Sequence, residues 1–118
     1  MHAYYFSYQL MNQERIQQFL QFVQDEPGEP FNVYALGIEY LSENPAQAQH
    51  YFERLLTNHP QYLPTYYHAA QLYVDLGNRA KAAELYDFGL LLAKQQGNAK
   101  TFDELNRAFR AFKDEEYD

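Results

Sequence analysis

The stretch YYHAAQLYVDLGNRAKAAELYDFG, residues 66–89, decides the fold of this chain. It mixes several alanines with several tyrosines and has a Gly-Asn pair near its centre. Helices that pack closely need small side chains where their backbones approach and large side chains where a gap remains. The stretch is therefore typical of two interlocking helices that are joined by a turn at Gly77 and Asn78.

An earlier copy of this pattern precedes the stretch. Tyr40 corresponds to Tyr73 with a shift of 33 residues, and Phe52 corresponds to Tyr86 with a shift of 34. The extra residue falls in the turn between the paired helices, where an insertion costs little. Residues 12–27 repeat the spacing of the second half of the pattern, so we interpret them as half of a repeat.

Hydrophobic spacing predicts an all-α chain of about six helices, because no stretch alternates as a strand would. Proline, glycine and asparagine mark the turns between the helices. Thr101 and Glu104 predict a capping box at the start of the last helix. The expected helices span about 12–25, 31–42, 46–58, 64–76, 79–95 and 101–114.

The length predicts a single domain over residues 12–114. It comprises the half repeat 12–27, repeats over 30–60 and 61–96, and a capping helix over 101–114, and an acidic tail follows at 115–118.

Residues 1–11 lie outside the helical register, so we expect a flexible tail. Residues 1–10 could also be an upstream extension of a start at Met11. In a third interpretation, the aromatic run within them occupies a groove as a peptide would.

Composition narrows the expected partners and location. The 118-residue chain has a formal net charge of −7 and a pI near 5.0, whereas nucleic acids and anionic membranes bind basic surfaces. We therefore expect neither as a partner. The absence of cysteine excludes disulfides and thiolate chemistry. With no signal peptide and no apolar stretch long enough to span a bilayer, the expected location is the cytoplasm.

No catalytic or metal-binding constellation is found in the sequence. The histidines lack the spacing of metal ligands, and no glycine-rich phosphate loop occurs. We therefore expect no cofactor, no metal and no enzymatic activity. A structural role is the favoured interpretation for His2, His50, His59 and His68, and it is weakest for His68, which lies on the first helix of the second repeat.

The repeated residues resemble the tetratricopeptide repeat, whose pattern is Trp-x2-Leu-Gly-x2-Tyr, then Ala-x3-Phe, then Pro. The resemblance implies a right-handed helical solenoid of about two and a half repeats, in which stacked neighbours supply the core. Lys94 stands where the closing proline is expected, which favours a capping role for the last helix. The first copy reads Val33-x2-Leu36-Gly37-x2-Tyr40, Ala48-x3-Phe52 and Pro60, and the second reads Tyr66-x2-Ala69-Ala70-x2-Tyr73, Gly77 and Ala82-x3-Tyr86.

The register assigns ten residues to the packing of the repeats. Replacing Gly37 or Ala70 with leucine is expected to overpack the helix pair and to destabilise the fold by about 1–3 kcal/mol. The ten residues are Leu36, Gly37, Tyr40, Ala48, Phe52, Pro60, Ala70, Tyr73, Ala82 and Tyr86.

In the family that this chain resembles, the first helix of each repeat lines a concave groove that binds a peptide segment of a partner. The resemblance implies a non-catalytic protein–protein interaction module, an adaptor or scaffold. Burial in the core stays an open alternative for Tyr34 and Tyr67, and it is the favoured one for Ile38. With Leu41, Pro64 and Asp75 as further candidates, the implied groove residues are Phe31, Tyr34, Ile38, Tyr67, His68 and Gln71.

One subtype of this family clamps a chaperone's terminal carboxylate with Lys, Arg and Asn. The comparable positions here hold Tyr34, Ile38, Tyr67 and Gln71. The resemblance therefore implies an apolar or mildly polar ligand segment and no co-chaperone role of that type. The alternative function is a self-associating structural subunit, a homodimer with its aromatic surface buried in the interface.

Overall fold

The computed structural model describes residues 2–115, with side chains from residue 10 onward, and this part of the chain contains six α-helices and no strand. The prediction of an all-α chain is therefore confirmed. The helices are α1 (His2–Asp25), α2 (Pro30–Tyr40), α3 (Pro45–Asn58), α4 (Thr65–Asp75), α5 (Arg79–Gln95) and α6 (Ala99–Glu115).

The contacts divide the chain into two compact units, Met1–His59 and Pro60–Asp118. In unit 1, α2 packs against both α1 and α3, and in unit 2, α5 packs against both α4 and α6. The single domain over 12–114 and its internal divisions stay predictions. Residues 116–118 of the predicted acidic tail lie outside the described residues.

The first helix begins ten residues earlier than the sequence predicts. It runs from His2 to Asp25, so the expected boundary at residue 12 is wrong. No proline or glycine occurs before Pro27, and nothing in the sequence therefore stops the helix from extending toward the N-terminus. The hypotheses about the role of residues 1–10 stay predictions.

Polar side chains fix α1 on α2. Asn12 is only 2% exposed, and its amide donates to the backbone carbonyl of Glu39 at 3.1 Å and to the Glu39 carboxylate. Arg15 Nε lies 2.9 Å from Glu39 Oε1. The two bonds from the amide nitrogen specify the register of the two helices, while the buried amide oxygen of Asn12 has no hydrogen-bond partner among the described residues.

Two turns of the same design end α4 and α5. Gly77 and Gly97 have φ of 81° and 69°, a left-handed conformation that glycine adopts without strain. The amide after each glycine donates at 2.9 Å to the carbonyl five residues earlier. Asn78 and Asn98 then cap the next helix by accepting from amides three residues ahead, at 3.1 and 3.0 Å.

The last helix begins at Ala99 instead of at Thr101. The Asn98 side chain accepts a hydrogen bond from the Thr101 amide, so Asn98 is the N-cap and Thr101 lies inside the first turn. The predicted capping box of Thr101 and Glu104 is therefore wrong. Asparagine is at least as good an N-cap as threonine, and this one directly follows the glycine turn.

Small and large residues meet closely in the α2–α3 pair. A Cβ added at Gly37 would lie 2.7 Å from the Phe52 ring, so only glycine fits there without movement. Tyr40 is half-buried and stacks on Tyr51, with 5.7 Å between the ring centroids. Eight of the ten residues that the register assigns to packing are buried, namely Leu36, Gly37, Ala48, Phe52, Ala70, Tyr73, Ala82 and Tyr86.

Tyr66 organises the corresponding region of unit 2. A Cβ added at Gly89 would lie 2.8 Å from Tyr66 Cβ and 3.1 Å from Leu105, so α5 approaches both helices closely at this glycine. The Tyr66 hydroxyl donates to the carbonyl of Pro60 at 2.6 Å. The Pro60 side chain is exposed, and the expected packing role of this proline is carried by its carbonyl instead of its ring.

Candidate functional site

A groove of about 580 Å³ lies within unit 2, between α4 and α6. This volume falls in the range of sites that bind ligands in proteins. Its two buried members, Tyr86 and Phe112, form the floor, and the side chains of α4 and α6 form the walls. The lining residues are Tyr67, Gln71, Val74, Asp75, Tyr86, Glu104, Arg107, Ala108, Ala111, Phe112 and Glu115.

The residues that form these walls recur with the period of a helix. Tyr67, Gln71 and Val74 are spaced by four and three residues along α4, and such residues share one face of a helix. On α6, two alanines at 108 and 111 lie in the lining stripe. Because an alanine side chain is a single methyl group, these positions leave room above the aromatic floor.

The floor is a set of stacked rings. The Tyr86 ring is 5.1 Å from the Phe109 ring and 5.8 Å from the Phe112 ring. The Arg79 guanidinium lies 4.1 Å from the centroid of Phe112 and donates to the Phe112 carbonyl at 2.9 Å. Aromatic contacts and cation–π contacts of this kind hold the rings in fixed positions.

The Tyr86 hydroxyl is the polar group of the floor, although the residue is only 2% exposed. Burial raises the pKa of this phenol above its ordinary value near 10, while a hydrogen bond with the Gln71 side chain lowers it. The nearby Tyr67, Glu115 and Asp75 raise the pKa further. The phenol therefore stays neutral at physiological pH and serves as a hydrogen-bonding group.

Carboxylates outnumber cations in the groove. Asp75, Glu104 and Glu115 line it together with one cation, Arg107. Among the described residues, none of these four side chains forms an ion pair. The groove therefore carries a net negative charge that its own side chains do not neutralise by direct contact.

Some of the residues that the sequence assigns to a groove lie in this one. Tyr67 and Gln71 line the groove together, and so does Asp75, which was a further candidate. His68 is half-buried outside the lining, with its ring 5.3 Å from that of Tyr67. Burial lowers the pKa of His68.

The other three predicted groove residues lie on α2 in unit 1. Phe31 is 53% exposed, and the edge of its ring faces Phe19 with 6.5 Å between the centroids. Tyr34 and Ile38 are half-buried. A binding role for these residues stays a prediction.

The sequence reasoning missed the contribution of α6. The sequence predicts a capping role for the last helix, and the repeat register ends before it, so the register assigns neither Arg107 nor any other residue of α6 to a groove. A signal was present, since Glu104, Ala108, Ala111 and Glu115 recur at helical spacing beside the apolar stripe. Tyr86 was assigned to packing alone, whereas it also lines the groove.

The described residues contain no group of three or more His, Cys, Asp or Glu side chains that could hold a metal ion. Within the same part of the chain, no helix combines the length and the apolar character needed to cross a membrane.

Comparison with known proteins gives one family and several similar structures. The family model for the tetratricopeptide repeat matches residues 40–102. A crystal structure of a tetratricopeptide repeat domain protein from Salinibacter ruber is 35% identical, with a TM-score of 0.69, over 72% of this chain and 96% of that one. A solution NMR structure of a tetratricopeptide repeat domain protein from the same organism is also 35% identical, with a TM-score of 0.69, over 74% and 89%.

A crystal structure of MamA is similar in fold, with 20% identity and a TM-score of 0.58 over 86% of this chain and 67% of that one. No curated protein matches the sequence.

Proposed function

The chain belongs to the tetratricopeptide repeat family, and on this premise we propose that it is a non-catalytic adaptor that binds a peptide segment of another protein in the unit 2 groove. The fold of the family is in general a module for protein–protein interaction. The proposal adds the place of binding and the kind of ligand.

The observation that carries the proposal is the combination of an open, aromatic-floored groove with a buried hydroxyl at its base. The half-buried Tyr67 and Val74 offer apolar area for a ligand side chain above Tyr86 and Phe112, while Gln71 on the rim is exposed. Aromatic anchors beside a few polar groups are characteristic of sites where a few contacts dominate binding.

The direct test is a variant that fills the groove without removing any existing contact. Ala111 is exposed and lines the groove, so Ala111→Trp places a large ring inside it. Ala80 is also exposed but lies on α5 outside the lining, so Ala80→Trp is the matched control. Circular dichroism establishes that both variants keep the helical content of the wild-type chain.

We expect the wild-type chain and Ala80→Trp to capture the same protein from a lysate. The captured amount should be at least about tenfold lower with Ala111→Trp, since a hot-spot loss of roughly 1.4 kcal/mol or more has this effect. Capture of the same proteins by all three chains contradicts the proposal. In that case Phe31→Ala and Tyr34→Ala test whether binding lies on α2.

Self-association is a second candidate, and a different surface favours it. Phe22 and Phe31 are 41% and 53% exposed, and both rings contact Phe19. Exposed aromatic clusters of this kind mark interaction sites. If self-association is the function, light scattering will give a mass that rises with protein concentration, and Phe22→Ser with Phe31→Ser will abolish the rise.

A further inference from the structure

The two ends of the unit 2 groove differ in charge. Asp75 is the last residue of α4 and Glu115 is the last described residue of α6, and both line the groove around the Tyr86 hydroxyl. Both are also close enough to this hydroxyl to act on it electrostatically. The carboxyl end of α4 adds partial negative charge at the same place. We call this part of the groove the acidic end.

Within the described part of unit 2, no cation forms an ion pair with the acidic end. Arg107 lines the groove, but it precedes Glu115 by eight residues, which is about 12 Å along a helix. Arg79 stacks on Phe112 and donates to its carbonyl, and it is not among the lining residues. Neither Asp75 nor Glu115 forms an ion pair among the described residues.

We propose that the acidic end of the groove binds a lysine or arginine side chain of the partner's segment, held between Asp75 and Glu115 over the aromatic floor. This inference rests on the proposed function and specifies the chemistry of the segment. Charge complementarity carries it, because three carboxylates and one cation line the groove. The apolar stem of a basic side chain would contact the half-buried Val74 and Ala108 that line the groove, while its charged head stays near the solvent-exposed carboxylates.

The same charges disfavour an acidic segment. A carboxylate placed at this end would meet two like charges over an apolar floor, where repulsion is less screened than in bulk water. The resemblance implies an apolar or mildly polar ligand from positions on α2 and α4 alone, whereas Glu104 and Glu115 lie on α6. The groove geometry changes that expectation to a basic residue flanked by apolar ones.

Affinity selection from a synthetic library of nine-residue peptides tests the inference. The library contains equal amounts of Lys, Arg, Asp and Glu at each position, and mass spectrometry quantifies the peptides that immobilised protein retains. The test variant is Asp75→Asn with Glu115→Gln. The matched control, Glu84→Gln with Asp87→Asn, makes the same change of charge at exposed positions of α5 outside the groove.

We expect the wild-type chain and the control variant to enrich Lys and Arg over Asp and Glu by about tenfold, and the test variant to lose most of this preference, because exposed ion pairs each change affinity by up to about fivefold. Raising the salt concentration should weaken the preference of the wild-type chain. Equal preference in the test and control variants overturns the inference, since attraction to the overall negative charge then explains it.

The Ala111→Trp chain separates this inference from the proposed function. If this variant loses all retained peptides but the wild-type chain shows no preference for basic residues, the groove binds peptides and only the inference fails. If Ala111→Trp retains the same peptides as the wild-type chain, the proposed function fails as well. A wild-type chain that retains no peptide above blank beads overturns both.

Discussion

The helix pair α2–α3 and the helix pair α4–α5 occupy equivalent positions in the repeat but are joined differently. In the first pair, the Phe52 ring packs on the backbone of Gly37. We call the contact between these two positions the joint of a helix pair, and in the first pair the joint is closed and apolar. In the second pair, the equivalent residues are Ala70 and Tyr86, and the Tyr86 hydroxyl reaches Gln71 at the groove. The repeat thus tolerates a hydroxyl at a position that lines the groove.

A second exchange between the pairs partly offsets one change of size with an opposite one. Val33 and Leu55 are almost fully buried in unit 1, whereas the equivalent residues of unit 2 are Tyr66 and Gly89. The larger residue on the first helix is matched by a smaller one on the second. Cores accept such compensated changes when total volume is kept, so each pair is packed as a set and single changes should be costly.

The largest expected effect is on the closed joint of the first pair. Phe52 is fully buried, so Phe52→Ala should lower the free energy of unfolding by about 3–5 kcal/mol through the cavity it leaves. Urea unfolding followed by circular dichroism measures this. Phe31→Ala, at an exposed ring of the same unit, should cost less than about 1 kcal/mol. Similar losses in the two variants would mean that the joint is not tightly packed.

Exchanging the two aromatic residues tests the difference between the joints. Phe52→Tyr buries a hydroxyl in the closed joint and should cost about 1–3 kcal/mol. Tyr86→Phe removes the hydrogen bond with Gln71 and should cost about 0.5–1.5 kcal/mol. Both are measured by urea unfolding. A Phe52→Tyr chain as stable as the wild type would show that the first joint also has a partner for a hydroxyl.

The glycine of the first joint should resist even one added methyl group. Gly37→Ala brings Cβ against the Phe52 ring, and overpacking of about 1–3 kcal/mol exceeds the gain of up to about 1 kcal/mol in helix propensity. We expect a net loss of about 1 kcal/mol in urea unfolding. Gly28→Ala has open space around it and should change stability little. A stabilised Gly37→Ala chain would show that the ring moves aside.

The smallest expected effect is a dependence on alkaline pH. The raised pKa of Tyr86 means that the native state holds this proton above pH 10, where the unfolded chain releases it. Its contribution to stability is therefore complete below pH 10 and is lost as the pH rises through the native pKa. Tyr86→Phe should make the decline in urea midpoint above pH 10 shallower. An unchanged slope would contradict the burial of this phenol.

The sequence predicted most of the helix pairs because residues that recur at a fixed spacing mark them. The shifts between Tyr40 and Tyr73 and between Phe52 and Tyr86 located both helix pairs. The predicted start of α1 was wrong because the helix extends toward the N-terminus as far as no residue stops it, and no proline or glycine precedes Pro27. Only some of the groove residues could be predicted, since α6 lies outside the repeat register. The register also marks Tyr86 as a core residue, but it does not show that the hydroxyl of Tyr86 lies at the groove.

The central claim is that a partner's segment lies over Tyr86 between α4 and α6. The most direct test is NMR mapping of the ¹⁵N-labelled chain, titrated with the peptide most enriched in the selection experiment. We predict that the largest shift changes fall on Gln71, Asp75, Tyr86 and the turns of α6 that contain Arg107 and Ala111. If the largest changes instead fall on α1 and α2 and those amides do not shift, binding in this groove is contradicted.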